Sequence, residues 1–123
     1  MAARPFTYVI PASAAARLAE AAPVFAALGD ETRLRLVARL STEGPVSIVR
    51  LTEGEKVSRQ AITKHLHALQ EAGLAHSSRA GRERIWALRT KRLAEVRRHL
   101  DQISQRWDAA LDRLRAFVEM EEQ

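Results

Sequence analysis

Four polar side chains between residues 57 and 74 share the spacing of one helix face. They occupy positions i, i+3, i+4 and i+7 and would lie side by side on an α-helix: Gln60, Thr63, Lys64 and His67. An amide, a hydroxyl, an ammonium group and an imidazole can all bond to the base edges exposed in the major groove of DNA. A solvated helix face is polar as well, so this polar stripe indicates a nucleic-acid surface only if its neighbours agree.

The same segment carries the signals that begin, bury and end a helix. Ser58 is placed to cap the N-terminus by accepting a backbone N–H. The opposite side of the predicted helix is apolar and would face a core, with Ile62, Leu66 and Leu69 at helical spacing. Gly73 stands where a left-handed residue commonly ends a helix. The sequence therefore predicts a helix with one buried face and one donor-rich face.

Three further helices are predicted before this one. The first is capped by Ser13 and runs through the alanine-rich stretch, where Pro23 either kinks it or opens a fresh turn and where Phe25 and Leu28 supply its apolar face. Asp30 is a good N-cap for a helix over about 31–41, which should bury Leu34, Val37, Ala38 and Leu40. Its three arginines are interpreted as a solvated face, with phosphate contact as the alternative: Arg33, Arg35 and Arg39.

Ser47 should cap a short helix that ends at Gly54. Only a few residues separate this short helix from the one with the polar stripe. That order is the helix-turn-helix arrangement.

A basic hairpin is predicted directly after Gly73. Residues 74–79 and 83–88 bracket a turn at Gly81. Three arginines lie near its tip, namely Arg79, Arg82 and Arg84. Their mutual repulsion favours an anionic partner, and an ordinary polar hairpin is the alternative. Trp86 is interpreted as a core residue, although the alternation alone leaves open which face of residues 85–88 is buried.

A long amphipathic helix is predicted over about 91–120. Its apolar residues step by three and four, and we call them the apolar stripe: Leu93, Val96, Leu100, Ile103, Trp107, Leu111 and Leu114. A stripe of nearly four heptads is too long for a small domain to bury alone. It could pack on the chain's own first helix or on a second copy. We expect a mixture of both and hence a homodimer.

Composition favours a polyanionic partner and excludes several kinds of chemistry. The net charge is +5 and only Lys56, Lys64 and Lys91 are lysines, so arginine supplies most of the positive charge. Its planar guanidinium suits phosphate and guanine.

The chain has no cysteine, which removes disulfides, thiolate metal sites and cysteine nucleophiles and fits a cytoplasmic protein. No segment approaches the roughly 20 apolar residues that cross a bilayer, so no membrane association is expected.

Residues Phe25 to Leu88 resemble the ArsR family of winged-helix repressors. Three motifs carry the resemblance: FAALGDETRLRLVARL, then VSRQAITKHLHALQEAGL, and then the wing GRERIWAL. The C-terminal segment with Trp107, ISQRWDAALDRLRAFVE, is similar to a metal-independent branch of that family, which agrees with the absence of cysteine. The resemblance implies a dimer that binds a palindromic site in double-stranded DNA near a promoter, usually as a repressor that an effector releases. A small-molecule effector is left open, since the sequence does not identify one.

The resemblance also assigns roles to single residues. Ser58 and Arg59 would position the DNA backbone, Gln60 could read adenine, and Thr63 or Lys64 a neighbouring base edge. His67 completes the major-groove set. Three wing arginines would contact phosphate or the minor groove: Arg79, Arg82 and Arg84. Two positions are expected to act differently, namely His65 (structural or phosphate-facing) and Lys56 (in a turn position that is often glycine).

The predicted fold is mainly α with a small β-hairpin, a winged helix-turn-helix with a long C-terminal dimerisation helix. Residues 1–12 are interpreted as a flexible arm, 13–90 as the DNA-binding domain and 91–123 as the dimerisation helix. No metal or other cofactor is expected, because Glu95 and His99 alone would make only a weak site. An enzyme is disfavoured, since no nucleophile, phosphate-binding loop or carboxylate pair is recognisable. The alternative function is a winged-helix module that binds protein or RNA.

Overall fold

Six helices and three short strands follow one another along residues 12–121, the part of the chain that the computed structural model describes. In chain order these elements are α1 (Ala12–Glu20), α2 (Ala22–Leu28), α3 (Glu31–Glu43), β1 (Val46–Ser47), α4 (Ile48–Thr52), α5 (Arg59–Glu71), β2 (Ala75–Ala80), β3 (Glu83–Leu88) and α6 (Thr90–Glu121). Residues 21–94 form one compact unit, and the described parts of 1–20 and 95–123 form a second. The predicted mainly helical fold with a small hairpin is confirmed. The predicted flexible arm lies outside the described residues, except that Ala12 begins α1.

Side-chain caps set the starts of three helices, as the sequence predicts. The carboxylate of Asp30 accepts from the backbone N–H of Arg33 at 3.0 Å. The hydroxyl of Ser47 accepts from the N–H of Arg50 at 3.2 Å, and that of Ser58 from the N–H of Ala61 at 3.1 Å. Each cap satisfies a backbone donor that the first turn of a helix leaves without an intrahelical partner.

The core of the unit formed by residues 21–94 is built around the inner face of α5. The three apolar residues predicted to face the core are fully buried there: Ile62, Leu66 and Leu69. The prediction for α3 is partly wrong, because Leu34 is 50% exposed and Ala38 is exposed. Leu36 and Leu40 are buried instead. At 100° per residue, positions 34 and 38 lie far round the helix from Leu36.

The three strands form an antiparallel sheet in the order β1-β3-β2. The hairpin pairs Ala75 with Leu88 at one end and Ala80 with Glu83 at the other. Trp86 is 2% exposed, so the prediction of a core tryptophan is confirmed and the buried face of β3 is now defined. The two-residue strand β1, which pairs Val46 with Trp86, was not predicted.

Gly73 ends the α5 region in the left-handed conformation that the sequence predicts. Its φ is +78°, and the next residue, Leu74, donates its N–H to the carbonyl of Leu69 at 2.9 Å. A Cβ at this position would lie 3.5 Å from Cδ of Arg92, which is ordinary contact. A substitution here would therefore be limited by backbone strain rather than by space.

Replacing Gly73 with alanine should lower the free energy of unfolding by about 1–2 kcal/mol, the cost of a left-handed L-residue. Asparagine tolerates this conformation better than alanine does, so Gly73→Asn should lower the free energy of unfolding by less than Gly73→Ala. Urea unfolding of the two variants and the parent protein measures the difference. An alanine variant as stable as the parent would contradict the strain argument.

Arg39 ties α3 to the C-terminal end of α4. Its guanidinium donates to the carbonyl oxygens of Leu51 at 2.9 Å, Arg50 at 3.0 Å and Glu53 at 3.3 Å. These carbonyls belong to the last turn of α4 and the residue after it, where helical acceptors lack intrahelical donors. The interpretation of Arg39 as a solvated residue is therefore wrong. This arginine holds the first helix of the helix-turn-helix against α3.

Glu43 completes this connection by bonding two arginines. Its carboxylate accepts from Nε of Arg50 at 2.8 Å and from Nε of Arg39 at 2.9 Å. Hydrogen bonds from Arg50 and then Arg39 hold the pKa of Glu43 below its ordinary value of 4.5. Because the folded state favours the carboxylate, the stabilisation is complete above that value and is lost as the pH falls through the lowered pKa.

Glu43→Gln should therefore lower the free energy of unfolding at about pH 6, and the difference from the parent protein should narrow as the pH falls through the lowered pKa of Glu43 and the parent side chain becomes neutral. Urea unfolding of both proteins at several pH values measures this narrowing difference. If the difference in the free energy of unfolding between the two proteins stayed constant down to the lowest pH measured, the charge of the Glu43 carboxylate would not be the source of that difference.

Candidate nucleic-acid interface

The outer face of α5 assembles all the residues that the sequence assigned to a major-groove surface. One open concavity is lined by the N-cap, the polar stripe and two neighbours: Ser58, Arg59, Gln60, Ala61, Thr63, Lys64 and His67. Thr63 is half-buried, whereas the charged, amide and imidazole side chains of this set are exposed. The buried inner face of α5 fixes the direction in which this outer face points.

Two hydroxyls of this face are already engaged with the backbone. The Ser58 hydroxyl accepts from Ala61, and the Thr63 hydroxyl donates to the carbonyl of Arg59 at 2.9 Å. A hydroxyl has one donor and two acceptor positions, so Thr63 can still accept a bond in this rotamer. Its outward chemistry is therefore that of an acceptor and a methyl group, and a methyl can contact the thymine methyl.

The three wing arginines crowd together on the hairpin. Arg79 and Arg84 pair directly across β2 and β3, and Arg82 lies in the turn between these strands. All three are exposed. Like charges directly opposite on a hairpin are destabilising, so an anionic partner would relieve the repulsion. The nearest stabilising contact in the described chain is a bond from Arg84 Nη1 to the hydroxyl of Ser77 at 3.3 Å.

Pairing with carboxylates separates the arginines of α3 and α4 from the cations of α5 and the hairpin. The arginines of α3 and α4 form salt bridges: Arg33 with Asp30, Arg35 with Glu31 and Glu55, and Arg39 and Arg50 with Glu43. Within the described residues, no salt bridge is formed by the five cations of α5 and the hairpin: Arg59, Lys64, Arg79, Arg82 and Arg84. We call these five residues the cationic surface. Its charge is available to an external polyanion.

Two histidines of α5 have different surroundings. His65 is half-buried, and its Nδ1 lies 3.9 Å from a carboxylate oxygen of Asp30, which supports the structural role expected for it. His67 is exposed at the outer face, and its ring stands edge-on to Trp86, with centroids 5.5 Å apart and planes at 86°. The buried tryptophan thus supports one member of the polar stripe.

The turn before α5 is not strained at Lys56. Among the described residues positive φ values occur only at glycines, and in this turn the residue concerned is Gly54, at +79°. The left-handed position therefore lies two residues earlier than the one considered in the sequence.

Most of the apolar stripe of α6 is exposed in the single chain. Leu100, Trp107, Leu111 and Leu114 are exposed, Leu93 and Ile103 are half-buried, and Val96 is buried. Val118, which continues the predicted stripe at the same spacing, is exposed as well, and so are Phe117 and Met120, which were not predicted. The groove that α6 shares with α1 is lined on the α6 side by Gln102, Gln105, Arg106 and Ala109. At 100° per residue most of these positions lie far round the helix from Trp107, so α1 adjoins a different face.

No group of three or more potential metal ligands occurs among the described histidines and acidic residues. Glu95 and His99, the pair considered in the sequence, are both half-buried on α6. No described helix is long and apolar enough to cross a membrane.

Helix α4, a turn, helix α5 and the β2–β3 hairpin have the order and form of a winged helix-turn-helix, a class of DNA-binding domain. Residues 28–77 match the model of a helix-turn-helix domain family.

Curated relatives and a solved structure agree with this class. The chain is 35% identical over 95 residues to the HTH-type transcriptional regulator Rv2034 of Mycobacterium tuberculosis, covering 77% of this chain and 85% of the relative. It is 38% identical over 68 residues to the uncharacterised HTH-type transcriptional regulator YuzN of Bacillus subtilis, and the match covers 50% of this chain and 74% of YuzN. An ArsR-like transcriptional regulator from Rhodococcus sp. RHA1 superposes with a TM-score of 0.69 at 40% identity, covering 80% of this chain and 92% of that one.

The chain therefore belongs to the ArsR-like family of winged helix-turn-helix transcriptional regulators. It is a transcriptional regulator with a helix-turn-helix DNA-binding domain.

Proposed function

We propose that this regulator is a homodimeric repressor that binds a palindromic operator in double-stranded DNA. The observation that carries the proposal is the cationic surface, which gathers on α5 and the hairpin five cations that have no carboxylate partner among residues 12–121. Binding a polyanion releases counterions from DNA and relieves the repulsion between Arg79 and Arg84. The repressor role is the one that the resemblance to ArsR-family winged-helix repressors implies.

Each contact residue has a chemical role in this proposal. Ser58 and Arg59 hold the DNA backbone beside the N-terminus of α5, whose unpaired N–H groups also favour phosphate. Gln60 reads adenine through its amide, and Lys64 and His67 face neighbouring base edges or phosphates. Thr63 contributes its methyl and an acceptor, given its bond to Arg59. Wing contacts to phosphate or the minor groove come from Arg79, Arg82 and Arg84.

Dimerisation is assigned to α6. Residues 13–90 form the DNA-binding domain in this proposal, and 91–123 supply the dimer interface through the apolar stripe: Leu93, Val96, Leu100, Ile103, Trp107, Leu111 and Leu114. The exposed members of the stripe, which are Leu100, Trp107, Leu111 and Leu114, would be buried against the same stripe of a second copy. A twofold pair would offer two recognition helices to a site with matching symmetry.

The operator and the oligomeric state are tested together. Footprinting of purified protein on the DNA upstream of its own gene should protect a twofold-symmetric site of about two helical turns. Transcription from that promoter in a purified system should fall when the protein is added. Binding to RNA or to another protein without any sequence-specific duplex binding would contradict the proposal and favour a winged-helix interaction module.

Gln60→Ala should reduce discrimination at one base pair of each half-site by about 1–3 kcal/mol, the value of a bidentate side-chain contact to a base. Affinity for unrelated duplexes should change little, because the backbone contacts remain. Competition between the operator and operators substituted at single positions measures the effect. If Gln60→Ala kept the full preference for every operator position, Gln60 would not read a base.

A further inference from the structure

A second concavity lies between α5 and the hairpin, on the inner side of the proposed DNA surface. It has a volume of about 350 Å³ and is partly open to solvent, and its lining residues are Ile48, Arg59, Thr63, His67, Gln70, Ser77, Arg84 and Trp86. A space of this size lies at the lower end of the range for small-molecule sites in proteins. It is distinct from the open groove along the outer face of α5, although the two share Arg59, Thr63 and His67.

The lining of this cavity combines apolar and cationic groups. Ile48 and Trp86 are buried and contribute apolar surface, and the His67 ring stands edge-on to Trp86. Arg59, from the first turn of α5, and Arg84, from β3, contribute guanidinium groups. No carboxylate is among the described residues that line it, and neither arginine forms a salt bridge within the described chain.

This lining favours an organic anion over a bare phosphate. Two guanidinium groups without carboxylates select a negative charge, and a planar carboxylate can accept two parallel bonds from one guanidinium. Phosphate would satisfy the arginines equally well, but it has no apolar part to place against the wall that Ile48, Trp86 and the His67 ring form. A flat aromatic body would bury its own apolar surface against that wall.

We propose that this cavity binds a small planar aromatic carboxylate, and that its occupation opposes DNA binding. The first part depends only on the cavity, and the second rests on the proposed function of α5. A ligand held by Arg59, His67 and Arg84 engages side chains that the DNA complex also needs. Ligand and operator would therefore compete, and the cavity would be the effector site of the regulator.

Direct binding is tested without DNA, using benzoate as the probe. The chain has two tryptophans, so ¹⁵N-labelled protein gives two indole N–H signals, which Trp107→Phe assigns. Benzoate should shift the Trp86 signal saturably and leave the Trp107 signal in place, because Trp107 does not line the cavity. Absence of a saturable shift at millimolar benzoate would overturn the proposal.

Two further probes separate charge from shape. Benzamide has the same ring without the negative charge and should bind at least about tenfold more weakly, since bonds between charged partners are the stronger ones. Inorganic phosphate has the charge without the ring and should also bind more weakly. Equal affinity for benzamide would overturn the anion requirement, and equal affinity for phosphate would overturn the aromatic one.

Variants locate the site. Arg84→Gln and Arg59→Gln should each weaken benzoate binding about tenfold, whereas Arg89→Gln, an exposed cation outside the cavity, should leave it unchanged. The Trp86 and Trp107 signals of each variant report whether the fold is retained. Unchanged binding in both cavity variants would place the ligand elsewhere and contradict the proposal.

Measuring operator binding in the presence of benzoate distinguishes a failure of this inference from a failure of the proposed function. At benzoate concentrations about tenfold above its dissociation constant, operator affinity should fall about tenfold for each occupied subunit. If the protein binds its operator but benzoate does not bind or does not compete, the inference fails alone. If benzoate shifts Trp86 but no duplex is bound, the cavity assignment stands and the proposed function fails.

Discussion

Raising the salt from about 50 to about 200 mM should lower the affinity for a specific duplex by about ten-thousand-fold. The cationic surface supplies five charges per subunit that lack carboxylate partners within the described chain. If the dimer neutralises about eight phosphates, the logarithm of the binding constant should fall with a slope near −7 against the logarithm of salt. The effect is large because each displaced counterion adds to the same slope.

Two variants make this measurement specific to the hairpin. Arg82→Ala removes one proposed phosphate contact per subunit, so the slope should become shallower by about two in a dimer, and all duplexes should weaken alike. Arg97→Ala is the matched control, because Arg97 is exposed on α6 and lies 3.9 Å from Asp101. Titrations of both variants at several salt concentrations give the slopes. If the affinity of the parent protein for DNA did not change with salt concentration, the proposed phosphate contacts of the cationic surface would be contradicted.

The recognition helix could be predicted from the sequence because its determinants are local. Ser58, the buried positions of α5 and Gly73 act within a few residues of one another, and each is found in its predicted role. The hairpin strands were predicted to within one residue at their ends. Trp86 could be assigned to the core because a winged helix that binds duplex DNA does not need an aromatic residue on which bases stack, but the alternation of β3 alone did not define its buried face.

The missed features depend on contacts between residues far apart in the chain. Arg39 looks like other surface arginines in sequence, yet it bonds carbonyls 11 to 14 residues away. Strand β1 has two residues, and only its pairing with β3 makes it a strand. Leu34 and Leu36 are both apolar, and only the packing of α3 decides which one is buried. The cavity between α5 and the hairpin arises in the same way, from residues of four separate elements.

Leu111→Asp should convert the dimer into monomers and weaken operator binding by about a thousandfold. Leu111 is 54% exposed in the single chain, so the substitution leaves the core of that chain intact. In a twofold dimer it would place a carboxylate from each subunit in an apolar interface, where unpaired charges are costly. The loss of affinity follows because two linked half-site contacts bind far more tightly than one, typically by factors of 10² to 10⁴.

Ala116→Asp is the matched control, because it adds the same charge to the same helix on the face away from Trp107 and Leu111. Ala116→Asp costs at least as much helix propensity as Leu111→Asp, because alanine is the stronger helix former, so a larger effect at Leu111 reports the interface rather than the helix. Sedimentation equilibrium gives the mass of each variant, and operator titration gives its affinity. If Leu111→Asp remained a dimer with full operator affinity, the assignment of the dimer interface to α6 would be wrong. Equal dissociation of both variants would show that the effect comes from charge on α6 in general, so the apolar stripe would lose its assigned role.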